Sequence, residues 1–194
     1  MPDPIHDRDH LSDLLTQVAE AACDYLARVD QLPAGGTARR DEATRRFVGE
    51  LPEDGNGSLE TVASLLTHGV EAATNSAGPR FFHFVTGGST PAALAADWLT
   101  STLDNNAGLW VSSPLGSRLE QVAIGWLKDL FSLPSTWGGV LTTGATMSNF
   151  TALAAARQWW GVEHGINIAE RGMSGLPAVP VMTSGFIHAS AKRR

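Results

Sequence analysis

Cysteine occurs once in the 194 residues, at Cys23, so no internal disulfide can form. No apolar run approaches the roughly 20 residues that a membrane-spanning helix needs, and no membrane partner is expected. Positive charge is in short supply: 14 Lys and Arg stand against 20 Asp and Glu, a net charge of −6. The arginines are scattered or lie among acids, whereas a phosphate-backbone binder shows a basic surface, so nucleic acid is not an expected partner. The polar start from Met1 to His10 lacks the apolar core of a signal peptide, and the expected location is cytoplasmic. What is present is 43% hydrophobic and 18% charged residues, the composition of a chain with a globular core and the length of one ordinary domain.

The most informative stretch runs from Trp137 to Arg157. Gly138 to Thr142 has the character of a short buried strand, Thr143 to Thr146 of a tight turn, and Met147 to Trp160 of an Ala-rich helix. A strand, a small-residue turn and a helix start form an anion site, because the first N–H groups of the helix are unpaired and its dipole favours negative charge. Gly144 and Ala145 leave room for a phosphate, and Thr146 adds a hydroxyl donor. The stretch has no Lys where a Walker A loop needs one, and its glycines miss the Rossmann spacing. Taken alone it is also compatible with a plain β–α turn packed with small residues.

Elsewhere the periodicity predicts helices. Leu11 to Val29 carry apolar residues at helical spacing, which predicts an amphipathic helix over 10–30 that ends before Pro33 and Gly35-Gly36. Thr37 to Val48 is a charged helical segment, with Arg39, Arg40, Arg45 and Arg46 on a solvated or interface face beside Asp41 and Glu42. Ser58 is placed to cap a third helix over 59–74. Phe81 to Val85 is an extended aromatic segment, a plausible wall of a binding site, with His83 a packing or surface residue. Thr90 with Pro91, and Ser113 with Pro114, each mark a helix start. Trp98, Trp110 and Trp126 suit a core or an interface. Pro177 to Thr183 is a second candidate strand, followed by a loop with His188. Strand, helix, strand is the βαβ order of an open α/β sheet, where ligands sit beyond the carboxyl ends of the strands.

Several of these features recur in one order over roughly residues 80 to 192: Pro91 to Asp97 after Phe84-Val85-Thr86, then Ser113-Pro114 with Leu119-Glu120. Gly144-Ala145-Thr146 with Ala154 to Arg157 follow, and then Ser184 with His188 and Ser190. In that order they resemble the group II decarboxylases that use pyridoxal 5'-phosphate (PLP), the aromatic-amino-acid, glutamate and diaminobutyrate decarboxylases. The resemblance implies an α/β chain: an N-terminal helical dimerisation arm over 1–77, then over 78–194 the start of a fold type I, PLP-dependent transferase-like large domain. It also implies a homodimer acting on a small-molecule substrate, an amino acid. Gly144, Ala145 and Thr146 match the cofactor-phosphate contacts, and His188 matches the catalytic histidine that stacks on the pyridine ring. Thr86 matches a residue that contacts substrate, and no metal is implied. By the residues alone, the three N-terminal helices could instead close into a bundle, and Thr86 could bond its own backbone.

The chemistry needs a Schiff-base lysine and a carboxylate for the pyridine nitrogen. The chain has two lysines, Lys128 in a helix and Lys192 near the end. The relatives' lysine and aspartate lie on later strands, so the expectation is the N-terminal part of a longer decarboxylase, inactive by itself. The alternatives are another PLP lyase of the same fold and a non-catalytic helical interaction fragment.

Overall fold

The computed structural model describes residues 6–35, 40–51, 53–174 and 176–191. They form helices joined by turns, in two compact units, Met1–Leu103 and Asp104–Arg194.

In the first unit, α1 spans Leu11–Arg28 and tightens into a single 3-10 turn, Val29–Gln31. It stops where the sequence requires, because Leu32 precedes a proline and is extended at φ −75° and ψ 145°. Behind it the chain is clamped to residues 75–80. Asn75, only 3% exposed, donates from Nδ2 to the Pro33 carbonyl at 2.6 Å, and its N–H donates to the Ala34 carbonyl at 3.2 Å. Gly78 lies so close that a Cβ there would stand 2.9 Å from the Val29 carbonyl oxygen.

Helix α2, Arg40–Thr44, continues as a 3-10 turn over Arg45–Phe47, and Val48 is extended at φ −113° and ψ 133°; residues 37–39 of the expected 37–48 helix, Arg39 among them, lie outside the described residues. Helix α3, Ser58–Ser64, packs beside α1 and runs through a wide turn at Leu65–Gly69 into α4, Val70–Ala72. Its start corrects one expectation. Gly57, at φ 80°, is the cap and Ser58 the first helical residue, so the Ser58 hydroxyl is buried without a partner while Thr61 Oγ1 donates to the Gly57 carbonyl at 2.7 Å. Helix α5, Pro91–Leu103, begins as expected: the Ala93 N–H donates to Thr90 Oγ1 at 3.2 Å, with Pro91 in the first turn.

The second unit holds α6, Pro114–Leu130, α7, Ala145–Glu163, and α8, Ile168–Arg171. Ser113 precedes α6 but its hydroxyl makes no cap bond, correcting the sequence reading; it fills the space a Cβ at Gly116 would take, 2.6 Å away. Gly161 of α7 is equally constrained, since a Cβ there would stand 2.6 Å from Ile168 Cδ1.

Neither expected strand is formed: among the described residues there is no β-strand, and Gly138–Thr142 and Pro177–Thr183 exchange no backbone bond. A strand exists only through a partner, and Pro177 and Pro180 each remove a ladder donor. The core is correspondingly thin. Among the described residues Val29 and Ile168 are the buried large apolar side chains, while Trp126 and Leu130 of α6 are 72% and 73% exposed. Trp98 and Trp110 are exposed too, the latter with the Arg118 guanidinium 5.8 Å from its ring centroid, so none of the three tryptophans is a core residue here.

Candidate functional site

The turn into α7 depends on Gly144. Its φ of 127° and ψ of 167° lie in a region essentially confined to glycine. A Cβ added there would meet nothing within 4 Å, so the demand comes from the backbone and not from crowding. The Gly144 carbonyl then accepts the Ser148 N–H at 3.0 Å and the Thr142 hydroxyl at 3.3 Å. With the Thr142 hydrogen so used, the Ser148 hydroxyl is the donor in the 2.6 Å Thr142–Ser148 contact. Glycine opens the turn and two hydroxyls lock it.

This geometry shifts the expected helix start from Met147 to Ala145 and puts Ala145 and Thr146 on the first turn. Ser148 makes the first backbone bond of the helix, to Gly144. The N–H groups of Ala145, Thr146 and Met147 precede it and have no helical acceptor, and no acidic residue lies in that turn. All three donors therefore remain available to an anion, with the Thr146 hydroxyl beside them.

Helix α6 holds the approach to this turn. Glu120 Oε1 accepts the Leu141 N–H at 2.8 Å, and Lys128 Nζ donates to the carbonyls of Ser135 and Trp137 at 2.9 and 3.0 Å. The segment that lacks a ladder partner is thus satisfied in part by side chains. Lys128 is committed to carbonyls, a structural role; Lys192 lies outside the described residues.

His188 belongs to the same unit and is exposed. It stands just before a 3-10 turn, Ala189–Ala191, that packs on α7. Its Nδ1 lies 2.9 Å from Ser190 Oγ and accepts the Ser190 N–H at 3.2 Å, while Asn149 Nδ2 of α7 donates to Ser190 Oγ at 3.2 Å. Gly144, Ala145, Thr146 and His188 are therefore carried by one helix start and by a turn bonded to that helix. Asn149, Thr142 and Ser148 were missed as site residues in the sequence, and the partnership between Asn149 and Ser190 spans 41 residues.

Thr86 lies in the first unit. The expected extended segment is instead a tight turn: Phe84 and Val85 have φ of 57° and 58°, and the Thr86 N–H donates to the His83 carbonyl at 3.4 Å. Two consecutive left-handed residues, one of them β-branched, are costly without a surrounding that enforces them. The turn lines a cavity of about 480 Å³ with Ala34, Ser76, Phe81, His83, Phe84 and Thr86. His83 packs edge-on against Phe81 at 5.6 Å between centroids. Among the described residues no group of three His, Cys, Asp or Glu is placed to hold a metal, and no helix is long and apolar enough to cross a membrane.

A glycine-only turn thus opens a first helical turn whose N–H groups lack helical acceptors, and the His188 imidazole is linked to the same helix through Ser190 and Asn149. Residues 48–193 match the pyridoxal-dependent decarboxylase conserved domain, and the chain belongs to that family. It is 26% identical over 142 residues to an aromatic-L-amino-acid decarboxylase of Bacillus atrophaeus, an alignment covering 73% of this chain and 30% of that protein. Among solved structures, mouse CSAD in its apo form superposes with a TM-score of 0.78 at 22% identity, over 97% of this chain and 38% of that one. Oryza sativa TDC, solved with PLP and tryptamine, superposes at 0.71 and 22% identity, over 90% and 36%. The chain thus shares the fold of the matching part of these proteins and spans about a third of their length.

Proposed function

We propose that the chain forms part of a PLP-dependent amino-acid decarboxylase, to which it contributes the cofactor-phosphate site and the ring-facing histidine. The observation that carries this reading is the start of α7, where Gly144 leaves the N–H groups of Ala145, Thr146 and Met147 without helical acceptors in a turn free of carboxylates. That donor set suits a phosphate dianion. Bound PLP supplies an electron sink for the carbon that loses carbon dioxide. Ala145 and Thr146 hold the phosphate, His188 holds the ring plane, and Thr86 with its aromatic cavity contributes to the substrate wall. The substrate is an amino acid; the tryptamine found with the Oryza sativa protein makes an aromatic one the first to try.

The same reading makes residues 1–77 the dimerisation arm of a cytoplasmic homodimer and residues 78–194 the first part of a fold type I large domain. Gly138–Thr142 and Pro177–Thr183 are then strands of a sheet whose other strands bring the Schiff-base lysine and the pyridine-pairing aspartate. The uncovered apolar residues of α5 and α6 support it, since each large aliphatic side chain withdrawn from water contributes about 1.5–3 kcal/mol. The test is expression of the chain with its natural downstream sequence and measurement of carbon dioxide release from a panel of amino acids. Release together with a bound-cofactor absorption band is the expected result, and neither signal from any substrate would sink the reading.

A further inference from the structure

We propose that Asn149 and Ser190 are positioning residues that hold His188 in the tautomer with its proton on Nε2. The inference rests on the reading of His188 as the ring-facing residue, although the bonds that carry it belong to the protein alone. The Ser190 N–H can only donate, and it points at His188 Nδ1 from 3.2 Å, so Nδ1 presents its lone pair and carries no proton. The Ser190 hydroxyl, 2.9 Å from the same nitrogen, lies close enough to share that single lone pair as a second donor. Asn149 Nδ2 donates to Ser190 Oγ at 3.2 Å, filling one of the two lone pairs of that hydroxyl, and so anchors Ser190 beside the ring. The opposite polarity would set the Ser190 N–H against a ring N–H. The bonds therefore run one way, from Asn149 through Ser190 to Nδ1.

Two consequences follow for the site. Nε2–H has no partner among the described residues and lies on an exposed ring, so it is the donor offered to whatever occupies the site. The ring orientation is also tied to α7, since Asn149 stands one turn beyond the free N–H groups of Ala145, Thr146 and Met147. One helix thereby sets both the anion donors and the imidazole.

The experiment uses the full-length protein labelled with ¹⁵N in histidine, with His188 assigned by the signals lost in His188→Gln. A long-range ¹H–¹⁵N correlation distinguishes a protonated from a bare ring nitrogen. The wild type and Ser190→Thr, which keeps the hydroxyl, should show a bare Nδ1 and a protonated Nε2. Ser190→Ala and Asn149→Ala keep the backbone donor but remove the side-chain anchor that holds it on Nδ1, and should show averaging between tautomers and a roughly threefold to tenfold weaker PLP affinity by fluorescence titration, the effect of one hydrogen bond. A protonated Nδ1 in the wild type would overturn the proposal, as would an unchanged tautomer in both alanine variants. The wild-type spectrum decides even if Ser190→Ala fails to fold. A wild type that binds no PLP would overturn the proposed function instead, with the spectrum still deciding the relay.

Discussion

Replacing Gly144 by alanine isolates the conformational demand at the head of α7. At φ 127° and ψ 167° an L-residue is strained by about 1–3 kcal/mol, and since a Cβ would meet nothing within 4 Å, no collision adds to that cost. The chain has two ways to respond. It can keep the turn and lose the strain energy from its stability, or relax the turn and lose the bonds that converge on the Gly144 carbonyl from Ser148 at 3.0 Å and Thr142 at 3.3 Å. Relaxation tilts the N–H groups of Ala145 and Thr146 away from the phosphate. At about 1.4 kcal/mol per tenfold, the same 1–3 kcal/mol becomes a loss of roughly 5- to 150-fold in PLP affinity. The assay is a PLP titration of the full-length variant by cofactor absorbance, with a thermal melt alongside. Gly125→Ala is the control, because Gly125 lies inside α6 with open space around it, and alanine there should stabilise by about 0.5–1 kcal/mol. A Gly144→Ala protein that melts with the wild type and binds PLP within twofold of it would refute the account of the turn.

Three other changes probe separate parts of the structure. Ala145→Asp sets a carboxylate beside the phosphate donors, and like-charge repulsion should lower PLP affinity in an equilibrium titration by tenfold or more, about 1.4 kcal/mol; unchanged affinity would remove Ala145 from the site. Asn75→Ala leaves the Pro33 carbonyl without its donor at a position only 3% exposed, and urea unfolding of the full-length protein should show a loss of about 1–3 kcal/mol. Gly161→Ala places a methyl 2.6 Å from Ile168 Cδ1, so overpacking should cost about 1–3 kcal/mol in the same measurement, and a variant of wild-type stability would mean that α8 is free to shift.

The helices were legible wherever their signals are local. Thr90 and Pro91 announce α5 because cap, proline and first turn lie within four residues, and the cap bond is found at 3.2 Å. Leu11 to Val29 show α1 by spacing alone, and the proline that ends it is two residues past its last 3-10 turn. The misplaced starts have equally local reasons. Gly57 and Gly144 adopt positive φ and cap their helices with backbone geometry, which moves the cap of α3 from Ser58 to Gly57 and the start of α7 from Met147 to Ala145. Phe84 and Val85 gave no sign of a left-handed turn, because nothing in an aromatic or β-branched residue favours one.

By itself the sequence determined the order of helices and, through the order of its motifs, the family, and it singled out the Gly144–Thr146 turn as the candidate anion site. Those properties reside in neighbouring residues and in spacings of three or four. Tertiary structure alone decided that Glu120 and Lys128 satisfy the backbone leading into that turn, that Ser190 meets Asn149 across 41 residues, and that the two strand-like segments find no partner in each other. A hydrogen bond between distant residues has no period to read, and a strand is a property of a pair.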